Sequence, residues 1–204
     1  MTESGCCLTG PSSSGDQRMA KIFHEGCLCF TFRDTWQVEK YDDHVFYRNR
    51  VSQLPETKAV DFVGQASDAT NYFIEVKDFR GYRIQNRHRL TTNELALEVA
   101  RKVRDSVAGL IGYKREQGNV GALGTVADRL HQQATTLRIV LWLEDDGVVN
   151  ASVWQAQLLT ITDSIKRYLK WLTVRVFVIS LSTHTNTPPE LHVANLPSAG
   201  QANP

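Results

Sequence analysis

Three residues in the first half of the chain have the types and spacing to handle a phosphate ester. Glu75 and Lys77 stand two apart in NYFIEVKDF, Asn71 to Phe79, and Asp61 precedes Glu75 by fourteen positions in TKAVDFVG, Thr57 to Gly64. Side chains along a strand alternate between faces, so residues i and i+2 share one. Glu75 and Lys77 therefore sit side by side, while Ile74 and Val76 turn the other way into the core. QASDAT, between the two segments, is turn chemistry, and the separation suits two strands that are hairpin neighbours. An acid on one strand then faces an acid and a lysine on the next. Two convergent carboxylates suit a hard divalent cation such as Mg²⁺, which takes oxygen ligands and keeps several waters. Such a cation clamps a phosphate oxygen and helps generate hydroxide. A neighbouring lysine can orient that water and offset charge building on phosphorus. The competing reading makes Glu75 and Lys77 ordinary cross-strand partners on a solvent-facing strand. Asp61 interrupts an otherwise apolar segment, which favours a site.

The elements that must position these residues follow from pattern. The two segments just described read as strands. Upstream, CLCFTF (Cys27 to Phe32) fits a strand or the end of a short helix, and His44 to Val51 alternates as a strand does. RGYRI, after the second strand, reads as an edge continuation of the sheet. Thr92 to Tyr113 reads as an amphipathic helix, since Leu95, Val99, Val103, Val107, Leu110 and Ile111 recur at helical spacing. Thr92 can cap it, with Glu94 in the favourable first turn. Leu137 to Leu143 (LRIVLWL) and Val174 to Leu181 (VRVFVISL) are apolar runs suited to buried strands, with a helix from Ser152 to Trp171 between them. Strands, helix, strand, helix, strand make a mixed sheet flanked by helices. Residues 1–15, rich in Ser, Gly and Thr, read as a disordered tail. The folded domain is expected over 16–182, and the polar, Pro-containing stretch 183–204 as a flexible tail.

Asp61 followed across a short hairpin by Glu75-Val76-Lys77 resembles the PD-(D/E)XK nuclease superfamily, which includes many restriction endonucleases. The resemblance runs from about Trp36 to Leu181, where hairpin, helix and buried strand follow that superfamily's core order. Val60 stands where the family loosely keeps a proline. The resemblance implies an α/β (α+β) fold, a restriction-endonuclease-like mixed β-sheet flanked by helices. Asp61 and Glu75 would be the metal ligands, and Lys77 the catalytic lysine. The implied cofactor is Mg²⁺, with Mn²⁺ able to substitute, and the implied activity is hydrolysis of phosphodiester bonds in DNA, in restriction, repair or defence. A homodimer or a larger defence complex belongs to the same expectation. An upstream acid often joins such sites, and of Glu39, Asp42 and Asp43 the third is taken as a further metal ligand because it just precedes a strand. A solvated turn explains that cluster equally well.

Basic residues flank the site and are candidates for nucleic-acid contacts: Arg48 before it, Arg80 and Arg83 after it, and Lys102 on the helix, with Tyr82 able to stack on a base. The alternative reading makes Glu98 and Lys102 a plain i,i+4 pair. The 23 basic residues nearly cancel the 22 acidic ones, leaving a net charge of +1. That excludes capture of nucleic acid by bulk charge, so any such function rests on a local site. Cys6, Cys7, Cys27 and Cys29 lack zinc spacing and read as reduced thiols. The six histidines form no HExxH pattern. Glu144-Asp145-Asp146-Gly147 is a turn first and a metal loop second. Trp142, Trp154 and Trp171 read as core. No apolar run is long enough to span a bilayer, and the expected location is cytoplasmic. The main alternative is a catalytically inactive domain of the same fold that binds a protein partner or nucleic acid. A different hydrolase using the Glu144 to Asp146 loop is a third reading.

Overall fold

The computed structural model describes residues 19–130, 132, 136–146, 150–183 and 186–197, with Arg83 described by its backbone alone. The tail expected over 1–15 lies outside the described residues, as do Cys6 and Cys7, His131, Gly147 and His184.

Alternation in the apolar segments produces three layers. Two antiparallel strands, β1 (Lys21–Glu25) and β2 (Leu28–Phe32), begin the chain, and β3 (Gln37–Lys40), β4 (Phe62–Gln65) and β5 (Asn71–Asp78) follow. Helices α1 (Arg83–Thr91), α2 (Glu94–Gln117) and α3 (Gly121–Arg129) precede β6 (Leu137–Glu144). Helix α4 (Ala151–Tyr168), β7 (Arg175–Ile179) and β8 (Leu191–Asn195) complete the order. Five strands form a mixed sheet in the order β3-β4-β5-β6-β7, antiparallel as far as β5 and parallel beyond it. Strands β1, β2 and β8 form a separate antiparallel sheet. The chain is thus a mixed α/β protein.

The central sheet is apolar on both faces, and its two faces belong to different cores. Phe73, Ile139, Leu141 and Leu143 pack with Leu95, Val99 and Val103 of α2 and Leu158 and Ile165 of α4. Tyr72, Ile74, Val76, Val140 and Trp142 pack with Leu28, Phe30 and Phe32 of β2. In the second core Phe30 meets Phe62 at 5.2 Å between ring centres and Trp142 at 5.6 Å, edge-on, an arrangement that aromatic quadrupoles favour. Gly64 lets β3 lie close on β4, since a Cβ there would come within 2.8 Å of the Val38 Cβ.

Several local expectations change. His44 to Val51 is not a strand: it ends in a π-helical turn, Tyr47–Val51, while the strand lies upstream at β3. Phe46 and Tyr47 are both buried, and two consecutive inward side chains fit a helical turn where alternation does not. RGYRI does not extend the sheet. Gly81, at φ +76°, turns the chain, Asp78 grips Arg80 at 2.6 Å, and α1 begins two residues later. Helix α2 starts at Glu94, two residues after the expected Thr92, with Asn93 at its cap position in place of Thr92, and Ile111 faces outward. Strand β7 is an edge strand of mixed burial, where a fully buried one was expected. Trp142 and Trp154 are core, but Trp171 is 59% exposed.

The flexible tail expected over 183–204 is corrected as well, so the folded region extends beyond residue 182. Leu191 and Val193 are buried, and β8 pairs with β2 in the register Leu191↔Phe32 and Val193↔Phe30. The Trp36 indole N–H donates to the Pro189 carbonyl at 2.8 Å. Two alternate apolar residues suffice to close an antiparallel sheet whose other inward positions are already aromatic. Residues 198–204 lie outside the described residues.

Candidate active site

Asp61 immediately precedes β4, and the Tyr41 amide donates to its carbonyl at 2.7 Å. One step beyond the β4–β5 register Phe62↔Ile74, Asp61 falls opposite Glu75. Directly opposed residues on antiparallel neighbours share a face. That face is the helix-covered one, shared by Val63 and Phe73. The solvent-exposed strand of the competing reading is therefore absent: Asp61 is 5% exposed and Glu75 is fully buried beneath α2.

Burial of acids demands partners, and the chain supplies them in alternating sign. The Asp61 carboxylate accepts from the Val76 amide at 2.6 Å, and its other oxygen lies 3.7 Å from the Lys102 ammonium. Lys102 reaches Glu75 Oε1 at 2.6 Å. The same oxygen takes Lys77 Nζ at 2.8 Å. Lys77 continues to Glu98 at 3.0 Å, and Glu98 closes onto Arg89. Arg89 lies over the Phe79 ring, 5.1 Å from its centre. The three expected catalytic residues, Asp61, Glu75 and Lys77, are brought together, and Lys102 of α2 joins them. Of the two readings of Lys102, the plain i,i+4 pair with Glu98 is absent: Glu98 reaches Lys77 and Lys102 reaches Glu75, both on β5. Glu98 and Arg89 had no assigned place in the site. Position 98 lies one residue from the buried stripe 95, 99, 103, and that flank of the helix overhangs the sheet.

One atom stands out. Glu75 Oε2 is buried and has no hydrogen-bond partner, although a buried carboxylate oxygen ordinarily has one. Among the described residues, no group of three or more His, Cys, Asp or Glu side chains is placed to hold a metal ion. Mg²⁺, however, characteristically uses one or two protein carboxylates, with water and substrate phosphates completing its shell. Asp61, Glu75 and the free Oε2 fit that demand.

Electrostatics follow the packing. Burial, reinforced by the Glu75 charge, raises the Asp61 pKa from 3.8 to about 7 against the opposing pull of Lys102 and the Val76 amide. Burial also raises Glu75, with Lys102 and Lys77 opposing. For Lys77 burial acts downward, but Glu75 and Glu98 outweigh it and hold the ammonium more firmly protonated. Burial acts upward on Glu98, but Lys77 and Arg89 prevail and its pKa falls. Between pH 4 and 7 the folded protein therefore keeps a proton on Asp61 that the unfolded chain has lost. The resulting stability is present in full below the unfolded value and disappears as pH rises through about 7. Unfolding free energies from urea titrations between pH 5 and 8 should fall more steeply in the wild type than in Asp61→Asn, by at most roughly 1.4 kcal/mol per pH unit. The asparagine retains an acceptor for the Val76 amide. Parallel pH profiles would remove Asp61 as the titrating group.

The other expected residues divide. Asp43 is a side-chain-exposed partner of Lys40 at 3.3 Å and, among the described residues, forms no three-carboxylate metal group with Asp61 and Glu75. Its neighbour Asp42 reaches the same Lys40 ammonium at 3.5 Å; burial raises its pKa, with Lys40 the main opposing charge and Lys102 a smaller one. The two adjacent acids share the Lys40 ammonium and differ in burial, Asp42 being the more buried, and pattern alone did not separate them. Arg80 is not free for phosphate: it is held by Asp78 and by Asn195 Oδ1 at 2.5 Å, fastening the β5 exit to β8. Arg48 and Tyr82 are exposed, and the Arg83 side chain lies outside the described atoms. The Glu144 to Asp146 loop is occupied structurally. Glu144 Oε1 accepts from the Trp142 indole at 2.8 Å and the Leu181 amide at 2.7 Å, and Asp146 accepts from the Gly81 amide.

No helix among the described residues is long and apolar enough to cross a membrane. Comparisons with protein-family models, curated proteins and solved structures gave no match.

Proposed function

We propose that this protein is a Mg²⁺-dependent nuclease that hydrolyses phosphodiester bonds, with DNA as its substrate. One observation carries the reading: Asp61 and Glu75 stand opposite each other on one sheet face, with the Lys77 ammonium 2.8 Å from Glu75. The order of hairpin, helix α2 and strand β6 supports a restriction-endonuclease-like arrangement, as does the likeness of Asp61 and Glu75-Val76-Lys77 to the PD-(D/E)XK pattern.

Asp61 and Glu75 would hold the cation, Mg²⁺ or Mn²⁺, which supplies Lewis-acid polarisation of the phosphate and a more acidic water. Lys77 carries three N–H donors and is steadied by carboxylates on both sides. It orients the attacking water and offsets negative charge as the phosphorus gains its fifth oxygen. Glu98, anchored by Arg89, fixes the position of Lys77. Restriction or defence against foreign DNA, action as a homodimer or in a larger defence complex, and a cytoplasmic setting complete the proposal.

Incubating duplex plasmid and, separately, single-stranded circular DNA with the purified protein tests it. Cutting is expected with Mg²⁺ or Mn²⁺ and none with excess EDTA, with activity restored on adding metal back. Metal-independent cutting, or no cutting in either metal, would count against the reading. The second reading, a non-catalytic module that binds nucleic acid or a protein, draws on one observation. The Lys102 ammonium already bridges both carboxylates, as an internal cation would. Calorimetric titration with Mn²⁺ separates the two, because the module predicts no heat attributable to Asp61 and Glu75.

A further inference from the structure

The first turns of α2 carry a ridge whose two sides are both grooved. On one side Leu97, Glu98, Arg101 and Arg104 face the loop that includes Leu54 and Lys58. On the other, Leu97, Arg101 and Arg104 face Tyr168 and Trp171 across a groove of about 310 Å³. Glu98 hydrogen-bonds Lys77, so the first groove abuts the catalytic residues, and the ridge arginines link it to the second.

The second groove has a distinctive composition. Its lining contains two guanidinium groups and two aromatic rings and no acid. Arg101 is exposed and makes no ion pair among the described residues. Among the described residues Arg104 pairs with its chain neighbour Asp105 alone, at 2.8 Å, and its side chain remains 62% exposed. Trp171 sits on a short 3₁₀ turn, Lys170–Leu172, that follows α4 and ends in a left-handed Thr173 at φ +52°. Trp171 as a residue is 59% exposed, whereas Trp36, Trp142 and Trp154 are all under 10%. Arg167 lies over the Tyr168 ring, 5.4 Å from its centre, adding a third cation beside the aromatic pair.

We infer that this groove binds unpaired nucleotides of a single-stranded nucleic acid, one base stacking on Trp171 while Arg101 and Arg104 hold the phosphates that lead toward Glu75 and Lys77. The inference rests on the nuclease reading and names the form of its substrate. A flat, exposed aromatic ring offers a base the π-face that it loses when it leaves its neighbours, and arginines beside it track the backbone. Bases inside a duplex are already stacked on both sides and cannot use Trp171 without being extruded. The net charge of +1 fits the same picture: with little bulk attraction available, stacking must carry much of the affinity.

The exposed ring also provides the readout. In EDTA, which prevents cutting, a thymidine oligonucleotide titrated into the full chain should quench tryptophan emission, because only Trp171 is open to it among the four tryptophans. Trp171→Phe should abolish the quenching and weaken binding, measured by oligonucleotide anisotropy, while a duplex of equal length quenches little. Trp171→Ala should weaken binding about tenfold or more. Arg101→Ala should lower the logarithmic salt slope of binding by about 0.7. Quenching that survives in Trp171→Phe, unchanged affinity in Trp171→Ala, or equal quenching by duplex would overturn the inference. If the wild type cuts DNA with Mg²⁺ and these binding results fail, the groove assignment falls and the nuclease reading stands. If the binding results hold and no metal supports cutting, the groove stands and catalysis at Glu75 falls.

Discussion

Glu75→Gln should reduce DNA cleavage by about a thousandfold, and Lys77→Met by about a hundredfold to a thousandfold, the range seen when a group aimed at developing charge is removed. The two losses should differ in kind. Glutamine keeps the shape of Glu75 and leaves an oxygen for Lys77 and Lys102, but it removes the charge that a divalent ion needs. Mn²⁺ affinity should therefore collapse together with cutting. Methionine at 77 leaves both carboxylates in place, so Mn²⁺ should still bind by calorimetry while turnover is slow at saturating metal. Lys77→Met also leaves Glu98 facing only Arg89, so a cooperative thermal transition must be shown alongside the assay. Cutting at more than about a tenth of the wild-type rate in both variants would remove this pair from catalysis.

The pairing of Asp61 with Glu75 could be read from sequence because a strand's alternation is a geometric rule, and an acid between Val60 and Phe62 breaks the expected apolar pattern. The buried strands and α2 were legible for the same reason: LRIVLWL and the repeat through Leu95, Val99 and Val103 each hide a large apolar surface. The rest depended on contacts made across the chain. Strand β8 carries only two inward apolar residues, Leu191 and Val193, and becomes a strand because β2 offers an open edge of Phe30 and Phe32. Helix α1 is polar along most of its length, so its pattern carries little signal. The difference between Asp42 and Asp43 was invisible because both pair with Lys40, and only the packing around the turn makes Asp42 the more buried. Trp171 read as core because tryptophan usually is. Its exposure follows from the end of α4 at Tyr168, after which a short turn carries the ring outside the packed face.

Lys102→Met should destabilise the folded protein by about 3 to 5 kcal/mol, the usual cost of breaking a buried ion pair from one side. The magnitude follows from what the substitution leaves behind. Glu75 is fully buried, and one of its oxygens already lacks a partner. Removing the ammonium at 2.6 Å leaves Lys77 as its one remaining counter-charge and leaves Asp61 without any. Urea denaturation of the two single variants and of Lys102→Met/Glu75→Gln forms a cycle in which the double variant should recover much of the loss, since glutamine brings no charge to be stranded. Additive losses would mean that Lys102 acts through packing of its stem alone. The same variant bears on catalysis. If Lys102 holds the acids together in place of a divalent ion, Mn²⁺ should bind Lys102→Met more tightly than wild type and restore its stability as the metal concentration passes the dissociation constant. If Lys102 instead assists at the phosphate, metal affinity should stay near wild type while cutting falls. The Lys102 side chain lies between the two carboxylates, closer to Glu75 than to Asp61, and that position favours the first outcome, in which Lys102 and the proposed divalent ion would compete for the same pair of acids.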